Sequence, residues 1–145
     1  MTVKTVALAS DHAGVALKAD LKDWLAGQGY AVVDLGTDGP ESVDYPDYAD
    51  AMAHAIRDGK ADRGVLICGS GIGISIAANR HRALRAALCG DVTSARLSRE
   101  HNDANVLVLG ARVTGPEVAR DCLSVFLGTA FAGGERHERR VAKLG

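Results

Sequence analysis

The sequence predicts an α/β protein: a three-layer α/β/α sandwich, Rossmann-like, around a five-stranded and mainly parallel sheet. Two observations carry this. Short apolar runs alternate with amphipathic helical stretches along the chain, an order that implies right-handed crossovers and helices on both sheet faces. No repeat, linker or low-complexity segment divides the 145 residues, a length that fits a single domain (1–145) with an adequate core.

Thr5–Ala9 is the first apolar run. Val15–Gln28 follows with Leu17, Leu21, Trp24 and Leu25 at helical spacing, and Gly29 closes that helix. Tyr30–Leu35 reads as the second strand. A loop rich in Gly, Asp and Pro (Gly36–Pro46) leads to a helix over Tyr48–Arg57. Strand Gly64–Cys68, helix Gly71–Asn79, strand Ala83–Cys89, a helix near Val92–Arg99 and strand Asn105–Leu109 continue the alternation. Pro116 stands in the first turn of a helix through Leu127, the position proline tolerates best.

Composition narrows the classes of function. A formal charge of −1 argues against nucleic acid or an anionic membrane surface as partner. No apolar run approaches the roughly 20 residues of a spanning helix. Met1-Thr2-Val3-Lys4 lacks the long apolar region of a signal peptide, and the three cysteines are odd in number, so a reducing, cytoplasmic setting is expected. Cys89 and Cys122 read as packing residues. No Cys-x2-Cys or His-x3-His pair occurs, and no metal site is expected.

The chemistry concentrates at Cys68-Gly69-Ser70-Gly71-Ile72-Gly73, between an apolar strand and Ile74-Ser75-Ile76-Ala77-Ala78-Asn79. Glycines let the backbone approach a ligand, and a helix N-terminus favours negative charge, so a thiol here is suited to act as base or nucleophile. A free cysteine is also commonly a small buried hydrophobe. The turn is not a dinucleotide fingerprint, because Ile74 stands where the third glycine belongs, and it contains no Gly-Lys-Ser/Thr phosphate loop. Parallel sheets bind ligands at the carboxyl ends of strands, which selects Ser10-Asp11-His12, Gly36–Asp44, Cys68–Gly73, Gly90-Asp91 and Gly110-Ala111-Arg112. Asp11 is equally a helix N-cap; His12 is not a preferred cap and suits an anion or a proton transfer. Arg99 to Asn105 reads as a polar turn at the amino end of the sheet, remote from Cys68 of the same chain. Arg136 and Arg140, four apart, share a helical face: either a solvated surface or a phosphate clamp.

Ser10-Asp11-His12-Ala13-Gly14, Asp44-Tyr45-Pro46, Cys68-Gly69-Ser70-Gly71-Ile72-Gly73, Ala77-Ala78-Asn79, Arg99-Glu100-His101-Asn102 and Arg136-His137-Glu138-Arg139-Arg140 together resemble one family. It is the RpiB-type ribose 5-phosphate isomerases, relatives of the galactose 6-phosphate isomerase subunits. Ser70 replaces the family's common Thr and keeps the hydroxyl. Where some relatives carry a glutamate base, this chain has Ile74-Ser75-Ile76, which leaves Cys68 as the candidate base.

The resemblance implies cofactor-free isomerisation of ribose 5-phosphate to ribulose 5-phosphate, in the pentose phosphate pathway. It also implies a homodimer, or a tetramer built on it, with shared sites: Cys68 of one subunit meets His101 and the arginines of the other. The segment 130–145 then serves both interface and phosphate. In that reading His101 opens the sugar ring with Asp11 assisting, Cys68 moves the proton, and Ser70 shuttles a proton between oxygens. The N–H groups of Gly69, Gly71, Ile72 and Gly73 form an oxyanion hole. His12, Arg136, Arg140 and, more weakly, Arg112 hold phosphate, while Tyr45, Asn102 and Asp11 bond hydroxyls. His137 and Arg139 read as solvated or structural. Six-carbon substrates (allose 6-phosphate, galactose 6-phosphate), a non-catalytic sugar-phosphate module and a Cys68 redox sensor are the alternatives.

Overall fold

Alternate residues of the central strands feed two separate cores. Val65 and Ile67 join Leu21, Leu25, Leu123 and Phe126 on one face; Leu66 and Cys68 join Met52, Ala53, Ile74 and Ala78 on the other. Both faces of these strands are therefore apolar, as a sheet covered on two sides requires. Each fully buried Leu, Ile or Phe among them stabilises the fold by roughly 1.5–3 kcal/mol.

The structure, a computed structural model, describes residues 2–145. Its strands are β1 (Thr5–Ser10), β2 (Ala31–Asp34), β3 (Arg63–Cys68), β4 (Ala86–Leu88) and β5 (Val106–Gly110). They lie in the order β2-β1-β3-β5-β4, and every pairing is parallel, not merely most. The helices are α1 (Val15–Gly27), α2 (Tyr45–Arg57), α3 (Ile72–Ala78), α4 (Val92–Asn102), α5 (Pro116–Gly128) and α6 (Glu135–Ala142). Residues of α1, α4 and α5 line the first core, and residues of α2 and α3 the second.

From β1 the chain reaches β2 on one side and β3 on the other. The connections therefore diverge between β1 and β3, and a crevice opens at their carboxyl ends. Asp11 and Cys68 stand there.

Three elements differ from expectation. α2 starts at Tyr45 rather than Tyr48, because Pro46 occupies its first turn without losing a bond. β4 is only Ala86–Leu88, because the Asn105 side chain accepts from Arg85 N (2.8 Å) and donates to Ala83 O (2.8 Å) in place of a ladder. The expected polar turn after Arg99 is instead the last turn of α4. Ser98 and the buried Arg99 face inward there, and Asp103 ends the helix in the left-handed region (φ 47°).

Candidate active site

Gly71 makes the Cys68 turn possible. Its φ of 81° is left-handed, and a Cβ there would lie 2.5 Å from Leu88 Cδ1 and 3.0 Å from the Leu109 carbonyl carbon. The turn folds back so that Gly71 N–H donates to Cys68 Sγ at 3.2 Å, and Ile72 N–H donates to Ser70 Oγ at 3.1 Å. Cys68 is 5% exposed, at the floor of the crevice. The expected oxyanion hole is thereby narrowed. Gly71 and Ile72 N–H are held inside the turn, while Gly69 and Gly73 N–H have no acceptor among the described residues.

The neighbouring loops are stitched to this turn. Ala111 N–H donates to Cys68 O and Arg112 N–H to Gly69 O, both at 2.9 Å, and Asp11 N–H donates to Ile67 O at 3.1 Å. A Cβ on Gly69 would lie 3.6 Å from Cδ and Nε of Arg112, so that guanidinium passes directly over the turn. A Cβ on Gly73 would lie 2.5 Å from Cζ and 2.8 Å from Oη of Tyr45. The phenol thus rests against Gly73, and glycine leaves the room for it.

Asp11 realises its capping alternative: Oδ1 accepts from Ala13 N–H at 3.0 Å. His12 is oriented by the loop before α2, with Val43 N–H donating to Nδ1 at 3.2 Å. Nδ1 is then the acceptor, which assigns the ring hydrogen to Nε2 and makes that nitrogen a donor for an anion.

The remaining candidates form a second group. His101 and Asn102 end α4, and Arg136 and Arg140 lie exposed on α6, which packs against α4. His137 stacks on His101, ring centroids 4.7 Å apart and planes 9° from parallel. Burial first, then His101, Arg136 and Arg140, hold the His137 imidazole below its ordinary range. No hydrogen bond or ion pair among the described residues joins the two groups. α4 carries its last turn to the amino edge of the sheet, away from the crevice. Sequence reasoning set His137 aside; its pairing depends on how α6 docks, which no local pattern reports.

The other thiols lie elsewhere. Cys89 and Cys122 belong to the core on the opposite sheet face from Cys68. Burial pushes the Cys89 thiol to about 12 and raises that of Cys122 as well.

The family model described as Ribose/Galactose Isomerase matches residues 6–144. The chain belongs to this family. It is 46% identical over 142 residues to ribose-5-phosphate isomerase B of Escherichia coli, covering 98% of this chain and 95% of that protein. A D-erythrulose-4-phosphate isomerase of Pectobacterium atrosepticum is 44% identical over 142 residues, with 97% and 93% covered. Among solved structures, ribose-5-phosphate isomerase B of Clostridium thermocellum matches with a TM-score of 0.95 at 50% identity, covering 97% of this chain and 95% of that one.

Proposed function

We propose that this protein is an aldose–ketose isomerase that interconverts ribose 5-phosphate and ribulose 5-phosphate. The observation that carries this is the Cys68 turn: a thiol under its own helix-start N–H groups, flanked by Tyr45, Arg112, Asp11 and His12 in one crevice.

The chemistry follows from those atoms. Cys68 thiolate removes the C2 proton of the open aldose and returns it to C1. The enediolate between these steps carries charge on oxygen, which the open N–H groups of the turn meet. Ser70 Oγ accepts from Ile72 N–H, so its own hydrogen is free to pass between O1 and O2. His12 Nε2–H and Arg112 offer donors to the phosphate from this side of the site.

His101, Asn102, Arg136 and Arg140 complete the site from a second subunit. Support comes from the crevice rim, where Ile72 (55% exposed), Ile76 (58%), Leu88 (43%) and Val92 (39%) leave an apolar surface beside the turn. A two-fold contact over that surface brings each chain's second group to its partner's Cys68. His101 then opens the furanose ring as general acid/base, Asn102 bonds a hydroxyl, and the α6 arginines clamp phosphate. The reading places the enzyme in the cytoplasm, where its three free thiols stay reduced. Among the described residues, no helix is long and apolar enough to cross a membrane.

The test is a coupled assay of the purified chain on ribose 5-phosphate, allose 6-phosphate, galactose 6-phosphate and erythrulose 4-phosphate. Turnover should be fastest on ribose 5-phosphate and should fall by about 10²–10⁴ in Cys68→Ala. No turnover of ribose 5-phosphate refutes the assignment, and a Cys68→Ala chain retaining more than about a tenth of the rate removes Cys68 as base.

A further inference from the structure

A second basic cavity, about 440 Å³, opens at the amino-terminal edge of the sheet, between the starts of β1 and β3 and the ends of α4 and α5. Val3, Leu127 and Phe131 give it apolar walls, and Arg63, Arg99 and Asp103 face into it. It shares no lining residue with the site described above.

The two arginines are differently placed. Arg99 is 3% exposed and well supplied: Nε donates to Thr129 O (3.0 Å), and Nη1 to Asp103 Oδ1 (2.8 Å) and to Ala104 O. Those contacts take up the carbonyls that end α4 and α5. Arg63 is not supplied. Its Nη1 donates to Asp62 O (2.9 Å), but its Nε is buried with no acceptor among the described residues. The nearby carboxylates are engaged elsewhere. Asp62 Oδ2 accepts from Lys4 and Thr5 N–H, and Asp103 is shared between Arg99 and Arg85. Three guanidiniums therefore meet two carboxylates. Burial first, and then the Arg99 charge, push Arg63 below its ordinary range.

We propose that this cavity binds a small oxyanion, a phosphate or carboxylate group, with Arg63 as its principal ligand. A half-buried guanidinium with no carboxylate partner beside a second guanidinium is costly, and the planar fork of arginine matches two oxygens of such a group. The anion meets the terminal N–H groups that Arg63 presents to the cavity, for which no carboxylate partner stands among the described residues, and offsets its repulsion with Arg99. The apolar walls fit a ligand whose charged head is attached to a short hydrocarbon or aromatic body. Because Arg99 also anchors the last turn of α4, the occupant braces the turn that carries His101 and Asn102.

Arginine side-chain Nε–H resonances report on this directly. The full-length chain carrying Arg136→Ala and Arg140→Ala, which removes the exposed α6 guanidiniums, is titrated with inorganic phosphate. The Arg63 and Arg99 Nε–H signals should shift saturably and together, and Arg63→Gln in the same background should weaken the Arg99 response by about tenfold or more. Signals that stay in place at tens of millimolar phosphate overturn the proposal. So does an Arg99 shift of undiminished affinity in the Arg63→Gln chain. If Arg63→Gln fails to fold, the titration with Arg63 intact decides alone.

Discussion

His101 and His137 lie face to face, 4.7 Å between ring centroids, and the contact joins the last turn of α4 to the first turn of α6. Two stacked imidazoles resist double protonation, and Arg136 and Arg140 add further positive charge beside His137. The pairing sets the plane of the His101 ring parallel to that of His137.

His137 should therefore protonate below the ordinary imidazole value of about 6.5. A lowered imidazole pKa means that the folded chain holds fewer protons than the unfolded one. The contact then stabilises above the unfolded value and loses that contribution as pH falls below it. Histidine ring NMR across this range should give a depressed His137 midpoint that rises toward normal in Arg140→Ala. A midpoint at or above the ordinary value would mean that the stack does not persist in solution.

Much of this was legible in the sequence. The alternation of apolar runs marks every strand, most clearly the central β1, β3 and β5, because a parallel sheet covered on both faces selects apolar residues at nearly every position there. The Cys68 turn is legible because glycines at 69, 71 and 73 interrupt a strand-to-helix junction, where Gly71 and Gly73 each have a steric task. Contact partners are less legible. The end of α4 reads as a turn because its inward residues are Ser98, which donates to Ala95 O within the helix, and Arg99, whose burial depends on carbonyls just after α5 and at the α4–β5 junction. Tyr45 over Gly73 and His137 on His101 are products of docking between distant segments, and periodicity carries no trace of either.

Gly73→Ala tests the Tyr45 contact. The new methyl would collide with the phenol, but Tyr45 is 39% exposed and its ring can swing outward. Stability should fall by no more than about 1 kcal/mol, as expected for a surface-side adjustment. kcat/KM should drop by about tenfold, the value of one displaced substrate contact. Unchanged kinetics, with the substitution confirmed, would separate Tyr45 from the substrate.

Asp34→Asn tests the support beneath the loop after β2. Lys18 is 3% exposed and holds Asp34 Oδ1 at 2.6 Å and Asp38 Oδ1 at 3.0 Å. Burial raises the Asp34 pKa, but Lys18, the Gly36 N–H and Lys22 outweigh it and hold the carboxyl below its ordinary range. The neutral amide leaves a buried ammonium with one solvent-exposed partner, so urea melts at neutral pH should show a loss of about 2–4 kcal/mol. A depressed carboxyl pKa gives stability that is present above about pH 4 and is lost as pH falls through the folded value. The gap between wild type and variant should therefore close in acid. A gap that stays constant through that range would show that the ion pair contributes nothing.

Complementation tests whether the two groups of site residues meet across a two-fold axis. Within one chain, α4 carries His101 to the amino edge of the sheet, while Cys68 ends β3 at the carboxyl edge. If the chain pairs as proposed, mixing inactive Cys68→Ala and His101→Asn chains and letting them exchange partners yields about half mixed dimers at equal ratio. If each site draws Cys68 from one subunit and His101 from the other, a mixed dimer contains one doubly damaged site and one intact site. Activity should then return to roughly a quarter of wild type, and a tenfold excess of either variant should suppress it. If both residues served the site of their own chain, every site in every mixed dimer would lack one of them. Mixed dimers verified by mass but without activity would thus place Cys68 and His101 in the same subunit's site, and α4 would have to reach the crevice by a rearrangement of the fold.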